Sequence, residues 1–258
     1  MTKKFVAKSL KNLSILSSLG IRLVKITGKS DSAIHPKHLI KNAEAWYISQ
    51  INPDDNVLDI GCGVGQDALR CAKLSKSVVA FDTSQNDIKI AQKQALKDKI
   101  RNAKFIIFDA EKKLPFRNKS FSKILMFDVI EHVSNGEKLI KEAKRVLKDN
   151  GKLLLLTDNP ETSWKNFQKS AGIFYYADSD HKYEYSKEEI IKLLSDNNFK
   201  ILSMTPDTYD TPFKPVIDLI GGFSLSLYAK LTKWRNHQVI KNPMETTGFR
   251  IIAQVRQS

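Results

Sequence analysis

The stretch that decides the fold is Val57-Leu58-Asp59-Ile60-Gly61-Cys62-Gly63-Val64-Gly65. Its first four residues read as a buried strand, and Asp67 to Leu74 reads as the helix that follows. Between them, glycines permit positive φ and let backbone approach a ligand with no Cβ in the way. A dinucleotide-binding turn spaces its glycines G-x-G-x-x-G. Here the third comes one residue early, at Gly65, and Gln66 takes the expected place. Asp59 sets a carboxylate beside the turn. A pyrophosphate would be repelled there, whereas a ligand carrying an ammonium and a sulfonium would be attracted.

Outward from this turn, short apolar runs alternate with helical periods, the signature of βαβ units around a parallel sheet. Ser77 to Phe81 reads as a second strand, Asn86 to Leu96 as a helix, Lys104 to Phe108 as a third strand and Lys123 to Phe127 as a fourth. Glu137 to Leu147 is an amphipathic helix with a stop signal at Asp149-Asn150-Gly151, and Lys152 to Thr157 is the fifth strand. Ser186-x-x-Glu189 has the form of a capping box opening a helix through Ser195. Lys200 to Met204 and Gly248 to Val255 supply the last two strands. The expected fold class is α/β, a doubly wound, seven-stranded, mainly parallel sheet with N-terminal helices and a helical insertion before the last strand. The expected domains are a basic N-terminal helical extension, 1–41, and a ligand-binding domain, 42–258, carrying the insertion at 213–239.

In order, these motifs resemble those of the class I S-adenosylmethionine-dependent methyltransferases, specifically the type-11 methyltransferase family. The resemblance covers roughly 52–204 and the last strand. It implies an enzyme with a Rossmann-like methyltransferase fold that binds S-adenosyl-L-methionine at Asp59, Gly61, Gly63 and Gly65. It implies that Asp82, ending Val78-Val79-Ala80-Phe81-Asp82, takes both ribose hydroxyls, with Thr83 beside it. Phe108-Asp109-Ala110, followed by Leu114-Pro115-Phe116, is similar to the adenine-binding motif and so places Asp109 and Ala110 at the base. Phe127-Asp128-Val129-Ile130-Glu131-His132-Val133 is similar to the fourth-strand motif, which puts Asp128 against the methionine end.

Methyl transfer needs an acceptor in line with the methyl–sulfur bond, and an oxygen or amine acceptor must lose a proton. No Asn/Asp-Pro-Pro-Tyr/Phe follows the fourth strand, which disfavours amine methylation of DNA or glutamine. Asp158-Asn159-Pro160 lacks the second proline and the aromatic, and no Pro-Cys is present for attack on a pyrimidine ring. His132 and His181 are the candidate catalytic bases, because imidazole accepts a proton near neutral pH. The alternative for each is a histidine that fixes its own turn. Asp128-x-x-Glu131-His132 with His181 also resembles the Glu-x-x-Glu-His metal set of small-RNA 2′-O-methyltransferases. Asp128 shortens one arm, however, and Asn135 takes the place of a further histidine, so no metal ligand is assigned.

The two cysteines, Cys62 and Cys71, form neither a disulfide framework nor a C-x-x-C pair. Apolar runs fall short of the roughly 18 residues of a membrane span. Lys8, Lys11 and Asn12 interrupt any signal-peptide core. The expected location is therefore cytoplasmic, at most peripheral to a membrane. The net charge of +14 sits at the ends: residues 1–50 hold 9 Lys+Arg against 2 Asp+Glu, 212–258 hold 7 against 2, and 51–211 hold 26 against 24. Basic ends suit an anionic partner, whether phosphate, acidic lipid or nucleic acid, or else are solvated faces of a lysine-rich chain. Lysine outnumbers arginine 34 to 8, which argues against bidentate phosphate recognition. The expected function is O-methylation of a small molecule or of a glycan- or lipid-linked intermediate. RNA methylation, and a cofactor-binding regulatory protein without turnover, are the alternatives.

Overall fold

The computed structural model describes residues 2–31, 33–40 and 45–256. Its elements in chain order are α1 (Lys3–Lys11), α2 (Ile15–Ile26), β1 (Asn56–Ile60), α3 (Gln66–Ala72), β2 (Ser77–Asp82), α4 (Gln85–Lys97), β3 (Ala103–Ile107), β4 (Phe121–Phe127), α5 (Gly136–Val146), β5 (Leu147–Asp158), α6 (Ser163–Ser170), α7 (Lys187–Asp196), β6 (Phe199–Pro206), α8 (Lys214–Phe223), α9 (Leu225–Lys241) and β7 (Gly248–Val255). The strands form one sheet in the order β3-β2-β1-β4-β5-β7-β6. Pairings β3–β2, β2–β1, β1–β4 and β4–β5 are parallel. β7 runs against both neighbours. The Asp207 N–H after β6 bonds the Gly248 carbonyl at the start of β7, and the Arg256 N–H after β7 bonds the Asn198 carbonyl before β6. On the other side the Asn159 N–H bonds the Thr247 carbonyl, while Gln254 reaches back to Asn150. The expected mainly parallel, seven-stranded sheet is therefore what forms.

The chain divides into two compact units. The first holds Met1–Glu44, Asn159–Ala177 and Pro206–Gly248; the second holds Ala45–Asp158, Asp178–Thr205 and Phe249–Ser258. The expected boundary at 41/42 lies outside the described residues. In the second unit, alternate residues of the central strands face opposite cores, because a strand's side chains alternate sides. Leu58, Ile60, Ile124, Met126, Leu153 and Leu155 pack with α5 and α7 through Leu139, Ile140, Ile190 and Leu194. Val57, Leu125 and Leu154 join α3 and α4 through Ala68, Leu69, Ile88 and Ala91. Burial on both faces explains why these strands read as continuous apolar runs. The strand order reverses between β1 and β4. A crevice at the carboxyl ends of strands at such a switch point is where α/β sheets bind ligands.

Two local expectations need correction. β5 begins at Leu147, not Lys152, because Leu147 already pairs with Phe121, and Asn150 at φ 63° lets the chain kink without leaving the sheet. α6 forms where no helix was expected; the Thr162 hydroxyl accepts the Lys165 N–H and starts it after Pro160.

In the first unit, α2 and α8 pack closely side by side. A Cβ on Gly20 would lie 2.4 Å from the Asp218 carbonyl oxygen, so only glycine fits there. Asp218 is fully buried and is held by the Ser17 hydroxyl at 2.7 Å, Lys214 at 3.0 Å and His35 at 3.3 Å. These partners keep its carboxyl well below the usual range despite burial.

Lys123 of β4 and Asp55, which directly precedes β1, form a buried ion pair. Lys123 Nζ lies 2.8 and 2.9 Å from the two Asp55 oxygens, and Asp55 also accepts from Ser122 and from the Asn52 N–H. Burial alone would raise the Asp55 pKa, but these bonds bring it below its ordinary value. Asp55→Ala strands the Lys123 charge and should cost about 3–5 kcal/mol in urea unfolding. The stabilisation from the lowered Asp55 pKa is present above the unfolded value near 4 and is lost as pH falls through the folded one.

Candidate active site

At the carboxyl end of β1 the glycine-rich turn takes the conformation its residues permit. Gly61 has φ 69° and Gly63 φ 50°. A Cβ on Gly61 would meet Val129 at 2.4 Å, so the segment after β4 rests directly on this turn. At Gly63 a Cβ would meet no atom within 4 Å, leaving open space where backbone can meet a ligand. The Gly63 N–H donates to Asp82 Oδ2 at 2.9 Å, and the Ser84 N–H to Asp82 Oδ1 at 2.8 Å. The Asp82 carboxylate is thus aimed by two backbone donors and keeps lone pairs on both oxygens. Thr83 is exposed between Asp82 and Ser84.

Asp59 is buried, and its Oδ2 has no hydrogen-bond partner among the described residues. Burial, and then the neighbouring Asp67 charge, push its carboxyl well above the usual range. An orphaned buried carboxylate oxygen beside an open glycine turn fits a cationic ligand group, which would supply the missing partner. Asp109 accepts the Glu111 N–H at 2.9 Å, while Ala110 lines a small cavity with Glu111, Asn135, Lys138 and Leu139. The Phe108 N–H bonds the Asp82 carbonyl, which ties this segment to the end of β2. Asp128, after β4, takes φ 54° and donates its N–H to the Leu156 carbonyl. These residues fit S-adenosyl-L-methionine: a cradle without side chains at Gly63, an aimed carboxylate at Asp82 and an unsatisfied one at Asp59.

A second group lies beyond Asp128. Glu131 is fully buried, and its carbonyl accepts the N–H groups of Lys182 and Tyr183 at 2.7 and 3.2 Å. Those bonds bring His181 to His132, with ring centroids 4.5 Å apart, edge to face. His181 is buried; its Nδ1 lies 2.8 Å from Glu184 Oε1 and 3.7 Å from Asp158 Oδ2. Burial lowers the His181 pKa, but Glu184 and the Asp158 charge outweigh it and leave the net shift upward. His132 is exposed, and its pKa is lowered, first by desolvation and then by the His181 charge. Glu131, Asp158 and His181 each offer one ligand atom, all within 4.8 Å of one another, and Glu131 Oε2 has no hydrogen-bond partner among the described residues. The three ligand atoms lie close enough together to hold a single cation.

The two candidate histidines thus come together, as do the glycine turn and Asp82. The sequence reading passed over Asp158 and Glu184 as site residues. Glu184 stands three residues after His181, a spacing that could have flagged a local pair. Asp158 ends β5 beside the end of β4 and was visible only through the sheet order.

The family model described as a methyltransferase domain matches residues 58–155. A ubiquinone/menaquinone biosynthesis C-methyltransferase, UbiE, of Rickettsia typhi is 32% identical over 197 residues, covering 68% of this chain and 76% of that protein. The chain belongs to the class I S-adenosylmethionine-dependent methyltransferases. A ubiquinone biosynthesis O-methyltransferase of Pelagibacter ubique is 34% identical over 103 residues, covering 40% of this chain and 42% of that protein. The crystal structure of a Bacillus halodurans protein described as a putative methyltransferase superposes with a TM-score of 0.60 at 20% identity, covering 84% of this chain and all of that one, a likeness of fold. This methyltransferase therefore uses S-adenosyl-L-methionine as methyl donor.

Asp82→Ala should weaken S-adenosyl-L-methionine by about 2–4 kcal/mol in calorimetry, because both the ligand bonds and the anchor of the Gly63 N–H disappear. Gly63→Val should abolish binding by filling the open approach. Unchanged affinity in either folded variant would dissociate that residue from the cofactor.

Proposed function

We propose that this methyltransferase methylates a hydroxyl oxygen of a small molecule, or of a glycan- or lipid-linked intermediate, with His132 as the base and His181 positioning it. The observation that carries this reading is the edge-to-face contact of exposed His132 with buried His181. When bound, the cofactor supplies a methyl group on a cationic sulfur, which leaves as a neutral thioether. The acceptor oxygen forms the new bond to that methyl, and its proton passes to a ring nitrogen of His132. His181 keeps its own proton, shared with Glu184, and its charge adds to the desolvation that holds His132 neutral and ready to accept. The carboxylates of Asp178 and Asp128 favour the imidazolium that forms. The Pelagibacter relative's name supports a hydroxyl acceptor, and the Rickettsia relative's name a small molecule of the quinone class. The cation that Glu131 and Asp158 call for is, on this reading, protonated His181.

His132→Asn should keep cofactor affinity and lose about 10²–10⁴ in kcat. The rate should rise with pH through a limb centred below the ordinary histidine value near 6.5, since His132 works deprotonated. His181→Asn removes the neighbouring charge and should move that limb to higher pH, a shift that a merely structural role would not produce. Wild-type turnover in His132→Asn, or an unmoved limb, would overturn the assignment. Nuclear magnetic resonance of the product separates an O-methyl from a C-methyl group. Chelation should leave the rate unchanged; activity lost to chelator and restored by Mg²⁺ or Mn²⁺ would replace the His181 proton with a metal.

A further inference from the structure

Helix α2 presents different residues on two opposite sides. Ser17, Gly20, Val24 and Thr27, spaced at helical intervals, form the side packed on α8: Ser17 bonds Asp218, Gly20 lies against its carbonyl, and Thr27 bonds the Gly222 carbonyl. On the other side Ile15, Leu19, Arg22 and Ile26 follow the spacing i, i+4, i+7, i+11, which keeps them in one stripe. Ile15 is 64%, Leu19 41% and Ile26 76% exposed. No helix among the described residues is long and apolar enough to cross a membrane.

The charges decide what fits this stripe. From Lys3 to Ile26 the chain carries six lysines and arginines and no aspartate or glutamate. Arg22 lies within the stripe, with exposed Lys25 beside it. A second copy laid on this face would set cation against cation. An anionic bilayer offers both halves of the complement, apolar chains for Ile15, Leu19 and Ile26, and phosphates for Arg22 and Lys25. The length of α2 also suits a helix lying flat, since its 12 residues span about 18 Å against a hydrocarbon thickness of about 30 Å.

We infer that the outward stripe of α2 is a docking surface for an anionic lipid bilayer, on which the helix lies in the headgroup plane. This stands apart from the identity of the acceptor and from the roles of His132 and His181. The test is sedimentation of the full chain with vesicles of phosphatidylglycerol and phosphatidylcholine, and with vesicles of phosphatidylcholine alone. The protein should pellet with the first at low salt, stay in solution with the second, and be released by high salt. Ile15→Ser combined with Ile26→Ser should lower the partition coefficient by about tenfold, and Arg22→Glu with Lys25→Glu should remove binding at low salt. These exposed positions lie outside the cofactor site, so calorimetry should show unchanged S-adenosyl-L-methionine affinity and verify that each variant is folded. Absence of pelleting at low salt, or equal pelleting of the double serine variant, would overturn the inference. So would a wild-type dimer that the serine variant converts to monomer, because a second copy would then cover the stripe.

Discussion

Burial of β1, β4 and β5 on both faces is the constraint on which the rest depends. A strand covered on either side can carry apolar side chains along its length, so polar chemistry is confined to where the strand stops. Asp59, Asp82, Asp128 and Asp158 all sit at or just beside the carboxyl ends of β1, β2, β4 and β5. The sheet order then gathers those ends, because β1, β4 and β5 are neighbours in space although α3 to β3 intervene between β1 and β4 in the chain. Backbone pairing alone thus brings carboxylates distant in sequence to one edge of the sheet.

Such an assembly of carboxylates needs positive charge, and the protein supplies it unevenly. Asp55 has Lys123 and Asp218 has Lys214 and His35, so both stay ionised although buried. Asp59 and Glu131 have no such cation in direct contact among the described residues, and both are pushed toward their neutral forms. The first pair holds the fold. The second pair would be relieved by a cationic methyl donor and a protonated histidine, as the proposed function places them.

Much of this was legible in the sequence for a physical reason. Parallel strands buried on both faces are uniform apolar runs, and glycine turns and the Ser186 capping box announce themselves locally; the box forms as read. Strand and helix limits moved by a residue or two, except at the start of β5, which the pairing of Leu147 with Phe121 brings forward from Lys152 to Leu147. What could not be read was contact between distant segments. The Glu131 carbonyl that brings Lys182 beside β4 follows from no periodicity, whereas Glu184, three residues after His181, was within local reach. The packing of α2 on α8 was hidden for the same reason, since Gly20 and Gly222 acquire meaning only once the two helices meet.

The place of β7 has a consequence for how the chain is made. It lies between β5 and β6, yet it is the last of the seven strands to leave the ribosome, after the whole of α8 and α9. Until then β5 presents an unpaired edge and β6 has no neighbour at all. Synthesis at about 5–20 residues per second leaves that edge open for seconds, during which it can pair with another nascent chain. Completion of the sheet is therefore a late, nonlocal event, which waits for β7 to enter the gap between β5 and β6.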